Sequence, residues 1–200
     1  ITGAGQDLEP IREWINKAVM PHARAQAWQA ATLSGLSEGL KRNKMDYHVL
    51  GKEQNMLVES AFSNPSQEVR KASLQMLKVI GVQDSIYLNQ SIRKAVQIAK
   101  DKRLSNEKRA EAIQFMTLAN PAPYASVMES LIVPQEDPSI QLAALKLLGR
   151  VPDETSSRFI LKNWEILTPE IREEALNTFM INSQRITLLL NAVESNLIKP

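Results

Sequence analysis

Residues 168–179, TPEIREEALNTF, combine a helix-start signal with one short amphipathic helix. Thr168 offers a capping hydroxyl directly before Pro169, whose fixed φ and missing N–H suit the first helical position. Glu170 then places a carboxylate near the positive end of the helix dipole. Beyond it, Ile171, Ala175, Leu176 and Phe179 fall at i, i+4, i+5 and i+8, one stripe of a 3.6-residue period. A single helix of this length cannot hide such a stripe by itself, so the question is what it leans on.

The same spacing recurs upstream. Ile140, Ala144, Leu145 and Leu148 repeat it, as do Val69, Ser73, Leu74 and Leu77. In NEKRAEAIQFM, Ala112, Ile113 and Met116 match, with Lys108 at the position of the first apolar residue. Leu33 and Leu36 supply a partial fifth copy. The central residues Leu33, Leu74, Ile113, Leu145 and Leu176 are 41, 39, 32 and 31 positions apart. A period of about 30 to 40 residues with a helix pair in each unit is the mark of an α-solenoid. Asn64-Pro65, Asp137-Pro138 and Thr168-Pro169 each read as a cap followed by a first-turn proline. Gly81 and Gly149 read as helix ends. Partner helices are predicted at about 52–62, 84–100, 123–132, 154–166 and 183–195, with Ser183 capping the last. Phe159, Ile160, Trp164 and Leu167 form the apolar face of one partner, and Ile186, Leu189, Leu190 and Val193 that of another.

Composition agrees with helices. The 200 residues include 44% apolar and 23% charged side chains but only 7 glycines, and alternating β-branched runs are absent. The predicted architecture is all-α, an α–α superhelix of about five antiparallel helix pairs, with residues 1–7 as a flexible tail and 8–200 as one solenoid domain. No run of about 18 apolar residues that could span a bilayer occurs. The start ITGAGQD and the end LIKP are expected to be cuts inside a longer polypeptide.

Chemistry-bearing constellations are missing. There is no cysteine, which removes disulfides, thiolate metal sites and thioether haem attachment from these residues. The two histidines, His22 and His48, have no carboxylate at a metal-ligand spacing. GAGQDL lacks the third glycine and the preceding strand of a dinucleotide loop. Glu170, Glu173 and Glu174 read as solvated, dipole-compensating charges rather than acid/base groups. PAPY (121–124) is a loop leading into a helix. No catalytic, cofactor-binding or metal-binding residue is assigned, and these residues are expected to be non-catalytic.

Two features speak to interaction. The methionines, Met56, Met76, Met116, Met128 and Met180 among them, and the tryptophans Trp14, Trp28 and Trp164 are expected in the core. A tryptophan that proved exposed would become a contact hot-spot candidate. The net charge of +2 is uninformative, but residues 1–120 carry 17 basic and 12 acidic side chains and residues 121–200 carry 7 and 10. Arg93, Lys94, Lys100, Lys102, Arg103, Lys108 and Arg109 form the densest basic zone and a candidate interaction surface. It lacks aromatic residues for base stacking, so a nucleic-acid interface there is the third reading of function, behind two scaffold readings.

As a whole the pattern resembles HEAT/armadillo-type helical repeats. QLAALKLL (141–148), the spaced set Trp164, Leu167, Pro169, Arg172, Ala175 and Leu176, and the tail LLNAVESNLIKP (189–200) are similar to the helical-repeat segment of large secreted bacterial proteins of a membrane-bound-dehydrogenase family with a haem-binding domain. LSGLSEGLKR (33–42) resembles the first repeat of that segment. The resemblance implies a non-catalytic scaffold that spaces or docks domains of an exported, haem-containing oxidoreductase. It further implies a periplasmic or extracellular location and haem c on a neighbouring C-x-x-C-H domain. The alternative is a free-standing module that binds a protein or peptide, with partners in other chains. No residue of the haem site carries over, since these residues contain no cysteine.

Overall fold

The computed structural model describes residues 8–20, 26–42 and 47–198. The predicted tail at 1–7 and His22 lie outside the described residues. Among those described, every regular element is helical and no strand occurs. Eleven α-helices follow in order: α1 (Glu9–Val19), α2 (Gln26–Lys41), α3 (Gly51–Ser63), α4 (Gln67–Ile80), α5 (Ser85–Lys100), α6 (Asn106–Phe115), α7 (Ala125–Leu131), α8 (Pro138–Leu148), α9 (Glu154–Lys162), α10 (Pro169–Phe179) and α11 (Ser183–Glu194). Eleven is one more than the five pairs expected: the stripe-bearing helices α2, α4, α6, α8 and α10 are each followed by a predicted partner, α3, α5, α7, α9 and α11, and α1 is additional.

Caps explain most boundaries. Asp137 and Thr168 cap α8 and α10 as predicted, each followed by a first-turn proline. Two caps differ from expectation. Ser66, not Asn64, accepts from the Val69 N–H at the start of α4, while the Asn64 carboxamide oxygen holds the Ser66 N–H. Asn182, not Ser183, caps α11 by accepting from the Arg185 N–H at 3.0 Å. The predicted helix at 154–166 is α9 followed by a 3-10 turn at Trp164–Ile166, and the predicted 123–132 helix is a 3-10 turn at Ala122–Tyr124 followed by α7. Gly81, at φ 74°, closes α4 in a conformation that a side chain would strain.

Contacts group the chain into two compact units, residues 1–91 and 92–200, with the division inside α5. In the first unit α4 packs against α2 and α3, and α1 packs against the same two helices. In the second, α6 lies against α8 and α8 against α10, while α7 lies against α9 and α9 against α11; α7 also packs on α8.

The stripes that defined the repeat are buried. Val69, Ser73, Leu74 and Leu77 are inside, as are Ala112, Ile113 and Met116, and Ile140, Ala144, Leu145 and Leu148. Ile171, Ala175 and Phe179 are buried too, but Leu176 is 39% exposed. In α2 the inward residues are Leu33, Ser37 and Leu40; Leu36 is only half-buried.

A second recurrent feature accompanies the stripes. The residue immediately after the first stripe position is Arg70, Arg109, Gln141 and Arg172 in α4, α6, α8 and α10. Each reaches back to carbonyls that precede its own helix. Arg70 Nη1 donates to Asn64 O at 2.9 Å, Arg109 Nε to Ala99 O at 2.9 Å, and Gln141 Nε2 to Glu136 O at 2.9 Å. Arg172 Nε donates to Trp164 O at 3.1 Å. Asn64 and Ala99 stand at the ends of α3 and α5, where carbonyls run out of intrahelical partners and a buried one without a donor is costly, whereas Glu136 and Trp164 lie in the turns that follow α7 and α9. One side chain per pair therefore satisfies the turn and fixes the second helix against the end of the first.

Candidate functional site

In unit 1, α3 carries Lys52, Asn55, Met56, Glu59, Ser60 and Ser63 at i, i+3, i+4, i+7, i+8 and i+11, which places all six on one helical face. That face floors an open cleft of about 590 Å³. Val19 and Met20, where α1 ends, form one flank; Tyr87 in the first turn of α5 and the Asn64-Pro65 turn complete the lining. The position of that turn follows from the local sequence. Arg70 draws in the Asn64 and Pro65 carbonyls, and Ser66 caps α4 directly behind them.

The lining combines an apolar body with a few polar groups, as binding clefts usually do. Met56 is half-buried and Met20 exposed, so neither fills the core as expected of the methionines, whereas Met76, Met116 and Met128 do. Ser60 and Ser73 share a buried hydroxyl hydrogen bond at 2.8 Å, which occupies the one buried hydroxyl of the floor. Tyr87 is held by the Asp84 cap of α5, its N–H donating to Asp84 Oδ1 at 2.9 Å. Burial pushes the Tyr87 phenol above its ordinary value, and the negative charge of Glu59 adds to the rise. The phenol therefore stays protonated, able to donate a hydrogen bond. The lining contains no histidine, and its titratable groups are Lys52, Glu59 and Tyr87. This set can hold and orient a ligand; it has no paired nucleophile and base.

The basic zone is less uniform than its sequence suggests. Arg109 is 2% exposed and forms an ion pair with Glu136 inside unit 2, so it belongs to the core and not to a surface. Arg103 is bound through two nitrogens to Asp101 at 2.8 Å each, an arrangement that holds the Asp101 carboxyl down at about 2. Arg93, Lys94, Lys100, Lys102 and Lys108 remain exposed on α5, α6 and the turn between them.

Two tryptophans expected inside are outside. Trp14 is 48% exposed and Trp28 is 39% exposed, while Trp164 is buried. Lys17 lies over the Trp14 ring, 5.5 Å from its centre. Further exposed apolar residues are Leu176 on α10, Met180 and Ile181 in the turn after it, Leu190 and Val193 on α11, and Leu197 beyond it. Sequence periodicity placed Leu176, Leu190 and Val193 on packing faces, and these three are exposed although Ile171, Ala175, Phe179 and Leu189 of the same stripes are buried.

Glu170 and Glu173 are exposed at the start of α10, and Glu174 approaches Lys146 Nζ at 3.5 Å. His48 lies in a 3-10 turn at His48–Leu50, before α3. Among the described residues no group of three or more histidine or carboxylate side chains is placed to share a metal ion, and no helix is long and apolar enough to cross a membrane. Compared with known protein families, with curated proteins and with solved structures, the chain matches none.

Proposed function

We propose that these residues form a non-catalytic helical-repeat scaffold, an α–α superhelix of the HEAT/armadillo kind within each unit, that spaces or docks neighbouring domains of an exported, haem-containing oxidoreductase. The observation that carries the repeat is the back-donating side chain at Arg70, Arg109, Gln141 and Arg172, which recurs at the register already set by the apolar stripes. Two independent periodicities with one phase are what a duplicated structural unit leaves behind. The rows α6–α8–α10 and α7–α9–α11 support the same reading, since each helix leans on the next of its kind. The exposed face of α10 and α11 is the surface a neighbouring domain would cover. The exported, haem-linked setting rests on the likeness of residues 137–200 to the family segment described above, with haem c on the neighbouring domain and a periplasmic or extracellular location.

Truncation tests the scaffold. A chain ending at Leu167 should retain the far-ultraviolet helical signal of the remaining helices and a cooperative, lowered melting transition, because stacked units depend on nearest neighbours. Collapse of the whole signal would overturn the repeat. The setting is tested by visible absorbance of the full-length polypeptide: c-type haem bands and a C-x-x-C-H motif support it, and their joint absence overturns it.

The unit 1 cleft favours a second reading, a free-standing module that grips a protein or peptide. A full-length polypeptide without haem would leave that reading in place.

A further inference from the structure

What fits the open side of α10 can be read from α8, given the repeat on which the scaffold reading rests. The two helices align at a step of 31 residues, which matches Leu145 with Leu176 and Gly149 with Met180. Leu145 and Gly149 are buried, whereas Leu176 and Met180 are exposed. On α8 this stripe is covered by α10 itself. A Cβ on Gly149 would overlap Thr178 Cγ2, and Lys146 Nζ lies 3.5 Å from Glu174 Oε2. Residue numbers rise together across these two contacts, so α8 and α10 run parallel. The same register recurs in unit 1, where Ser37 Oγ donates to Met76 Sδ at 3.4 Å. In both units the residue four after one stripe centre, Ser37 or Gly149, meets the residue two after the next centre, Met76 or Thr178. Each contact sets a small residue against a larger one, as close packing requires.

Two further features carry the series past α11. The back-donating side chain has a fifth member: Gln29, four residues before Leu33, donates through Nε2 to the Met20 carbonyl where α1 ends. All five stripe-bearing helices are thus tied to preceding carbonyls by the residue four before their centre. Arg172 takes the carbonyl of Trp164, and 31 residues beyond Trp164 stands Ser195, the C-cap of α11. The turn from α9 into α10 reads Ile166-Leu167-Thr168-Pro169, with Ile166 exposed and Leu167 buried. Leu197-Ile198-Lys199-Pro200 repeats its pattern at the same step, with Leu197 exposed and Ile198 buried.

We propose that the face of α10 around Leu176 and Met180 seats a parallel helix of this chain's own repeat type, entered through the turn at Leu197 and Ile198. That helix carries the apolar stripe of α8 and α10, with an arginine or glutamine four residues before its centre to take the Ser195 carbonyl. Two residues after its centre it carries a small side chain, because Met180 leaves no room for a second large one. Run the other way, the same helix would carry its arginine away from Ser195 and lose that bond.

Extension of the intact chain tests this. The probe is a second copy of residues 170–182 placed after Pro200, with alanine at the copied Thr178; the control carries the same residues in scrambled order. The true copy should raise the melting temperature by about 4 °C or more over the control, and Leu176→Ala should remove most of that gain. The 200 residues contain no cysteine, so direction can be read by crosslinking. Met180→Cys should form a disulfide with a cysteine at the copied Thr178. It should not do so with one at the copied Glu174, which comes nearer only if the added helix runs antiparallel. No gain over the control overturns the proposal, as does a crosslink through the copied Glu174. So does a dimer of the unextended chain that Leu176→Glu dissolves in sedimentation, because the face then belongs to a second copy. None of these results alters the truncation or the haem spectrum, so the scaffold reading is judged separately.

Discussion

Arg109 and Glu136 meet inside unit 2 through both oxygens of the carboxylate, Nη1 donating to Oε1 at 3.2 Å and Nη2 to Oε2, while Arg109 Nε holds the Ala99 carbonyl. Both side chains are almost wholly shielded from water. Their attraction has to offset the loss of hydration on two ions, so the pair is weak evidence for stability but a strong constraint once formed. Arg109→Met should therefore cost roughly 3–5 kcal/mol, because it leaves Glu136 buried without its partner. Arg109→Met with Glu136→Leu should recover most of that loss. Urea unfolding of the single and double variants measures both quantities; equal losses in the two would mean that the carboxylate finds another donor.

Gly149 shows a different constraint at the same kind of place. Its backbone is ordinary right-handed helix, so no conformational need explains the glycine. A Cβ built there would fall well inside van der Waals contact with Thr178 Cγ2 on α10. Gly149→Ala should lower stability by about 1–3 kcal/mol through overpacking. Thr178→Ser removes the offending methyl and keeps the hydroxyl that donates to Glu174 O, so the double variant should melt close to the parent. Differential scanning calorimetry of the pair decides it.

These two sites show what sequence reading captures. The helices were legible because apolar residues three, four and five apart have one structural use, and because Asp137 and Thr168 stand beside prolines that can only start a helix. Asn64-Pro65 looked equivalent, yet Ser66 competes for the same N–H groups and sits nearer to them. Residue size did not decide the face of Trp14 or Trp28, since a tryptophan at a helical spacing fits either side of a stripe that is poorly defined. Arg109 read as surface because it stands in a basic run. The countervailing clue was its register, directly after the first stripe position, where Arg70, Gln141 and Arg172 also stand. The cleft was illegible for another reason: its walls come from the end of α1, the length of α3 and the start of α5, segments that no local pattern connects.

The cap of α8 carries one pH dependence of stability. Asp137 Oδ1 accepts from the hydroxyl and the N–H of Ser139, and Oδ2 accepts from Asn106 Nδ2 at 2.8 Å. These bonds, led by the Ser139 hydroxyl, hold the Asp137 carboxyl below its ordinary value of 3.8. A group depressed on folding contributes stability that is complete above its unfolded value and disappears as pH falls through the folded one. Asp137→Ala should cost about 1 kcal/mol at neutral pH. Asp137→Asn keeps an acceptor for the helix N–H groups but cannot titrate. Its stability should fall less steeply than the parent's as pH is lowered below 3.8, measured by urea midpoints across that window.

Leu145 and Leu176 occupy the same repeat position with opposite exposure, the first buried completely and the second 39% accessible. The difference follows from their neighbours: α8 is packed by α6, α7 and α10, whereas α10 is packed by α8 and, more lightly, by α11. Leu145→Ala should therefore cost about 2–5 kcal/mol, the range for emptying a packed leucine site. Leu176→Ala in the same 200-residue chain should stay within about 0.5 kcal/mol. The comparison gains force in the full-length polypeptide. If a neighbouring domain seats on α10 and α11, Leu176→Ala should become distinctly more destabilising there than in the isolated chain, as should Leu190→Ala, while the Leu145→Ala penalty should not change. Thermal shifts of the three variants in both contexts give the answer. An unchanged Leu176 penalty would mean that this face stays open to water, and the docking role of α10 and α11 would be lost.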